Sequence, residues 1–176
     1  MQDFAFLILR IVSGGLLAGH GAQKLFGSFG GPGLEGMGGF LESMGIRPGK
    51  PWAALAGLSE FAGGTLTALG LLNPLGPLGI MGVMTVAALR AHSLRPIWAQ
   101  EGGAELPVTN AAIALVVALS SPGRYSLDRA LGVRVPRWFV AVAFLFGALA
   151  AAAAILNKPD DASSDEDREP DGDEAT

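Results

Sequence analysis

The segment from Phe4 to Phe26 constrains this chain most. It is apolar over a length that can cross a bilayer, yet it carries Arg10 within it and closes on His20, Gly21, Ala22, Gln23 and Lys24. A charged side chain near mid-membrane costs roughly 2.5–3.5 kcal/mol on insertion scales, so a group at that depth faces a bundle interior or a cavity and has a partner there. The search for function starts with those partners.

Four more apolar runs follow: Trp52 to Leu72, Leu75 to His92, Leu106 to Ser121 and Trp138 to Leu156. A spanning helix takes about 17–25 mostly apolar residues. Leu106 to Ser121 crosses only by extending into Gly102 to Glu105 or under local thinning of the bilayer. The runs are continuous rather than alternating, which argues against membrane strands. Half the residues are hydrophobic, 16% are charged and the mean hydropathy is +0.42, an apolar and charge-poor balance for an ordinary soluble domain. We read an all-α integral membrane protein: an antiparallel four-helix transmembrane bundle over 1–132, an additional transmembrane helix in 133–156 and a disordered acidic tail in 157–176. The tail holds nine Asp and Glu against Lys158 and Arg168, a net of −7, which leaves −4 − (−7) = +3 for residues 1–156. Its composition cannot bury enough apolar surface to order itself.

Met1, Gln2 and Asp3 supply no cationic lead-in and Arg10 interrupts the apolar core, so the first helix is expected to be retained rather than cleaved as a signal. The loops carry Arg and Lys nearly evenly. The cluster Arg124, Arg129, Arg134 and Arg137 in the fourth connection favours an amino terminus in the cytoplasm.

Consecutive spans alternate in direction, which gathers one set of polar groups at one membrane face. His20, Gln23 and Lys24 lie near the end of the first span, and Glu60 lies on the second. Arg90 and His92 close the third, and Asn110 comes early in the fourth. At 1.5 Å per residue Glu60 is roughly 12 Å from the Trp52 end and His20 roughly 9 Å from the Phe26 end, so the two meet at similar depth. These seven residues form the expected polar pocket. The opposite half is expected to hold only Arg10 and Asn73. Gly57, Gly63 and Gly64 surround Glu60 and let another backbone come close. Glu60 beside Lys24 or Arg90 stays ionised; without them it takes up a proton. A helix-locking role for such a pair is the competing reading. No residue is assigned a catalytic role.

The chain has no cysteine, which excludes disulfides, thiolate chemistry and Cys-ligated metals. His20 and His92 could ligate a haem only in principle, since no spacing compels it. A metal site is not expected, because the acid is single and the nearby cations would repel one. No intrinsic cofactor and no nucleic-acid partner are expected.

Between the first two spans, residues 27–49 hold nine glycines without the order of a phosphate loop. Within them Leu34, Met37, Leu41 and Met44 recur at three and four residues, the stripe of a short amphipathic helix capping the bundle at the interface.

The run HGAQKLFGSFGGPGLEGMGGFLESMGI, followed by LAGLSEFAGGTLTALGLLNP and SSPGRYSLDRALG, resembles the DoxX family of small bacterial membrane proteins, over roughly residues 4–132. Matching positions include His20, Gly21, Gln23, Lys24, Phe26 and Gly27, then Glu60, Gly63 and Gly64, and later Gly123, Arg124, Ser126 and Asp128. The chain departs from the pattern at Met37, where a Thr is common, and at Asn73 and Pro74, where Thr and Arg often stand. The resemblance implies a four-helix bundle in the bacterial plasma membrane. It also implies a link to quinones, since the family takes its name from a terminal quinol oxidase subunit and a related protein belongs to a thiosulfate:quinone oxidoreductase. Other members are thought to assemble with superoxide dismutase and a sulfurtransferase. The expected function is therefore an accessory subunit of a quinone-linked redox or oxidative-stress complex, with the bilayer and redox proteins as partners. The alternative is a non-catalytic scaffold that anchors partners through its loops and tail. A small-solute transporter gains little support without inverted repeats.

Overall fold

The computed structural model describes residues 1–92 and 96–156, and all regular structure among them is helical. The long elements are α1 (Gln2–Phe26), α3 (Gly49–Leu69), α4 (Leu75–Val86), α5 (Glu105–Leu119) and α7 (Arg137–Leu156); the short ones are α2 (Gly33–Ser43) and α6 (Leu127–Leu131). The five apolar runs of the sequence are thus the five long helices. The predicted tail lies outside the described residues.

Two of these helices, α1 and α7, are long and apolar enough to cross a membrane. Helix α3 has the length, with 21 residues, but Glu60 and its Ser, Thr and Gly content dilute it. Helix α4 reaches Ala91 only through a π-helical turn at Ala87–Ala91. Helix α5, with 15 residues, is about 22 Å long against a hydrocarbon core of about 30 Å.

Among the described residues, helices α1 and α3 make the most extensive contact. Their crossing is backbone on backbone. A Cβ added at Gly14 would lie 2.6 Å from Gly64 O, and one at Gly21 would lie 2.3 Å from Phe61 N. These pairs run in opposite order along the two helices, so α1 and α3 are antiparallel. Helix α4 returns along α3, with Gly76 against the Gly63 carbonyl. Small residues at such crossings are the means by which helices approach where apolar burial gives no advantage over lipid.

One apolar cluster joins Leu17 of α1, Ile80 and Met84 of α4 and Ala114 of α5. A second joins Leu41, Ile46 and Ala53, with Leu34, Met37, Met44 and Trp52 packed on it. That second cluster uses the stripe expected between the first two spans and seats α2 on the start of α3. Many large apolar side chains lie on the outer surface while charged groups lie inside. Ile8, Ile11, Leu16, Leu115, Val116, Leu145 and Phe146 are exposed, while Arg10 and Glu60 are buried. Exposed apolar side chains in this number fit a lipid solvent rather than water.

Candidate functional site

The glycine crossing of α1 and α3 carries the central polar contact. Gly57 leaves room for the stems of Lys24 and Leu25, and one turn further along α3 Glu60 receives the Lys24 ammonium on Oε1 in a salt bridge. Glu60 is 2% exposed. Its second oxygen, Oε2, is buried and has no hydrogen-bond partner among the described residues. Lys24 keeps 23% of its side chain exposed, so the pair has one buried end and one end that reaches the surface.

The other expected pocket residues divide. His20 Nδ1 lies 3.1 Å from Gln23 Oε1 on the same helix as Lys24, and His20 is exposed. Arg90 Nη2 donates to the Met44 carbonyl at 3.3 Å, and His92 Nδ1 lies 2.6 Å from the Gly102 carbonyl. Those two contacts tie the end of α4 to the α2–α3 connection and to the connection that leads to α5. Asn110 is half-buried on α5 and makes no side-chain hydrogen bond among the described residues. The tight core of the site is Lys24 and Glu60, with His20 and Gln23 on adjoining turns of α1. No group of three His, Asp or Glu that could hold a metal ion occurs among the described residues.

An apolar groove of about 610 Å³ runs between α3, α4 and α7, lined by Ala56, Ser59, Gly79, Val83, Phe144 and Gly147 among others. None of the seven polar residues lines it. Glu60 faces α1, and the groove opens on another side of α3.

The opposite half is richer than the sequence indicated. Arg10 is 1% exposed and its Nη2 donates to the Tyr125 carbonyl at 2.9 Å. Asp128, also buried, accepts the backbone N–H of Leu72 on Oδ1 at 2.8 Å and that of Asn73 on Oδ2 at 2.9 Å. Asn73 Nδ2 donates to the Ser120 carbonyl. Gly70, with φ 61°, sits directly under the guanidinium: a Cβ there would lie 1.7 Å from Arg10 Nη1. The expectation that only Arg10 and Asn73 are polar in this half is therefore corrected. Asp128 and Ser126 belong there too, because the connection after α5 folds inward over the α3–α4 hairpin. The available signal was the Ser126-Leu-Asp-Arg sequence, in which the Ser126 hydroxyl caps α6 by accepting from Arg129 N.

Helices with apolar outer faces, glycine-lined crossings and an ion pair with one buried end define a small, all-helical, membrane-associated protein. The DoxX family model matches residues 5–93, half of the chain, and the chain belongs to that family. The match covers α1 to α4 and stops before the Gly123 to Gly132 run. No curated protein and no solved structure matches the chain.

Proposed function

We propose that this DoxX-family protein is a multi-pass protein of the bacterial plasma membrane and an accessory subunit of a quinone-linked redox complex. Exposed leucine, isoleucine and phenylalanine side chains around a core with buried charges support the bilayer as its solvent. The shortness of α4 and α5 fits a bundle that thins the membrane around itself.

One observation carries the redox reading: Glu60 Oε2 is a buried acceptor with no donor among the described residues, next to an oxygen already engaged by Lys24. A buried carboxylate oxygen left without a donor costs free energy, and a ligand that brings an O–H removes the cost. A quinol hydroxyl is such a donor, and this donor–acceptor match supports the reduced form of the head group as the ligand. Glu60 would hold that hydroxyl and accept its proton, and Lys24 would fix the carboxylate and stabilise its charge. Exposed His20, oriented by its contact with half-buried Gln23, would carry the proton on toward the surface. A bound quinol supplies a pair of electrons together with those protons. With no cysteine in the chain, an iron–sulfur or thiol electron carrier has to come from a partner, and the role is accessory for that reason.

The test is purification followed by lipid extraction. Co-purified menaquinone or ubiquinone, lost in Glu60→Gln and His20→Ala, is the expected result. A quinone-free wild-type protein whose deletion leaves the redox phenotype unchanged overturns the proposal.

The placement of Lys24–Glu60 inside the glycine crossing favours a second reading, in which the pair only locks two helices and the protein anchors partners through its loops and residues 157–176. Crosslinking that recovers a partner only when those residues are present would select it.

A further inference from the structure

At the amino-terminal end of α1 a cleft of about 900 Å³ separates the helix from the end of α5 and the connection that follows it. Helices α1 and α5 scarcely touch, and the connection bridges over the gap: a Cβ added at Gly123 would lie 3.8 Å from Asp3 Oδ1 and 3.8 Å from the Phe6 ring. The walls are of two kinds. Phe6 and Leu9 of α1 form an apolar side, while Arg124, Arg129, Ser120 and Ser121 form a polar rim. Asp3, also on the rim, accepts Arg124 N at 3.2 Å.

Among the described residues the guanidinium groups of Arg124 and Arg129 are committed to no carboxylate. Both residues are exposed. From Asp3 to Leu9 is six residues, about 9 Å of rise along a spanning helix. The arginines and serine hydroxyls thus stand at headgroup depth, and the Phe6–Leu9 wall stands at the depth of the first acyl carbons. A site with cationic donors above and an apolar wall directly below matches an amphiphile carrying a phosphate. We infer that this cleft holds an anionic phospholipid of the surrounding bilayer, its phosphate on Arg124 and Arg129 and an acyl chain along Phe6 and Leu9. Arg is suited to the phosphate because its planar fork donates two parallel hydrogen bonds. The inference rests on the reading of α1 as a membrane span.

The experiment is native mass spectrometry of the full chain, delipidated in detergent and titrated with phosphatidylglycerol or phosphatidylcholine, with inorganic phosphate as competitor. Wild type is expected to prefer phosphatidylglycerol, and the double variant Arg124→Gln/Arg129→Gln to lose roughly thirtyfold in its affinity, the product of two surface arginines. Arg134→Gln/Arg137→Gln removes the same charge outside the cleft and keeps the preference. Arg124→Lys/Arg129→Lys retains part of it and shows that the connection is still folded. Equal binding of the two lipids, or equal loss in both Gln double variants, overturns the inference. Displacement by inorganic phosphate at matched concentration overturns the lipid as source. Carbonate extraction separates the two levels of the argument: a wild-type chain released from the membrane overturns the span and the cleft together, whereas an embedded chain with no lipid preference overturns the cleft alone.

Discussion

Replacing Lys24 with Met tests whether the α1–α3 pair behaves as a buried ion pair. The two ends differ in environment: the Glu60 side chain is 3% exposed and that of Lys24 is 23% exposed. Lys24→Met leaves Glu60 buried without its cation, and removing one partner of a buried pair costs about 3–5 kcal/mol, whether the carboxylate stays charged or the cost is taken as protonation. The exposed end of the lysine lets water share the charge, so the lower figure, about 3 kcal/mol, applies. Glu60→Gln strands a lysine instead, and its long stem carries the ammonium outward. That variant should lose about 1 kcal/mol, the net worth of one hydrogen bond. The double variant leaves no uncompensated charge and should lie within about 1 kcal/mol of wild type. The assay is reversible unfolding in mixed micelles of all four proteins, read as a double-mutant cycle. An ordinary interhelical hydrogen bond in a membrane averages about 0.6 kcal/mol. Equal losses of that size in both single variants, adding in the double, would refute the claim that a desolvated charge dominates this contact.

The helix crossing gives a sharper contrast between two glycines on one helix. Gly21→Ala should destabilise by about 1–3 kcal/mol through overpacking, because its Cβ would meet the Phe61 backbone at 2.3 Å, while Gly15→Ala, with nothing within 4 Å, should be neutral or stabilising by about 1 kcal/mol. Micelle unfolding of the two variants decides it, and similar effects at both sites would refute the close approach. Asp128→Asn weakens two hydrogen bonds made by a charged acceptor and should cost about 1.5–3 kcal/mol. Hydrogen exchange at the Leu72 and Asn73 amides should speed up in that variant, with the Gly57 region unchanged.

Much of the architecture was legible because each long helix coincides with an apolar run, and because alternation of direction places Lys24 and Glu60 at one face. Leu34, Met37 and Leu41 announced α2 through their spacing alone. What stayed hidden depends on tertiary placement. Nothing periodic connects Asp128 to the amide of Leu72, 56 residues away, and a polar residue in a connection reads as solvated until the connection is seen to fold inward. The expected pocket also treated depth as proximity. Arg90 and His92 do stand at the same end as Glu60, but a π-helical turn at Ala87–Ala91 closes α4 and their contacts go to the Met44 and Gly102 carbonyls.

The polar ties fall on the α1–α3 pair and its hairpin, at both ends of the crossing: Lys24 to Glu60 at one, and Arg10 over Gly70 with Asp128 on Leu72 and Asn73 at the other. Helix α7 has no comparable tie among the described residues. It packs chiefly on α4, and only Ala154 along its length is buried. The family match ends at residue 93, well before it. A chain ending after Val135 keeps every tie just named; besides residues 157–176 it loses the apolar face of α7, which lipid can replace, since lipid tails solvate Ala and Leu as well as another helix does. That truncated chain should insert, resist carbonate extraction and give the same Lys24→Met to Glu60→Gln asymmetry as the full protein. Loss of insertion, or collapse of that asymmetry to equal effects, would show that α7 supports the charge pair through α4, and the division of the fold into a tied unit and a loosely added helix would be wrong.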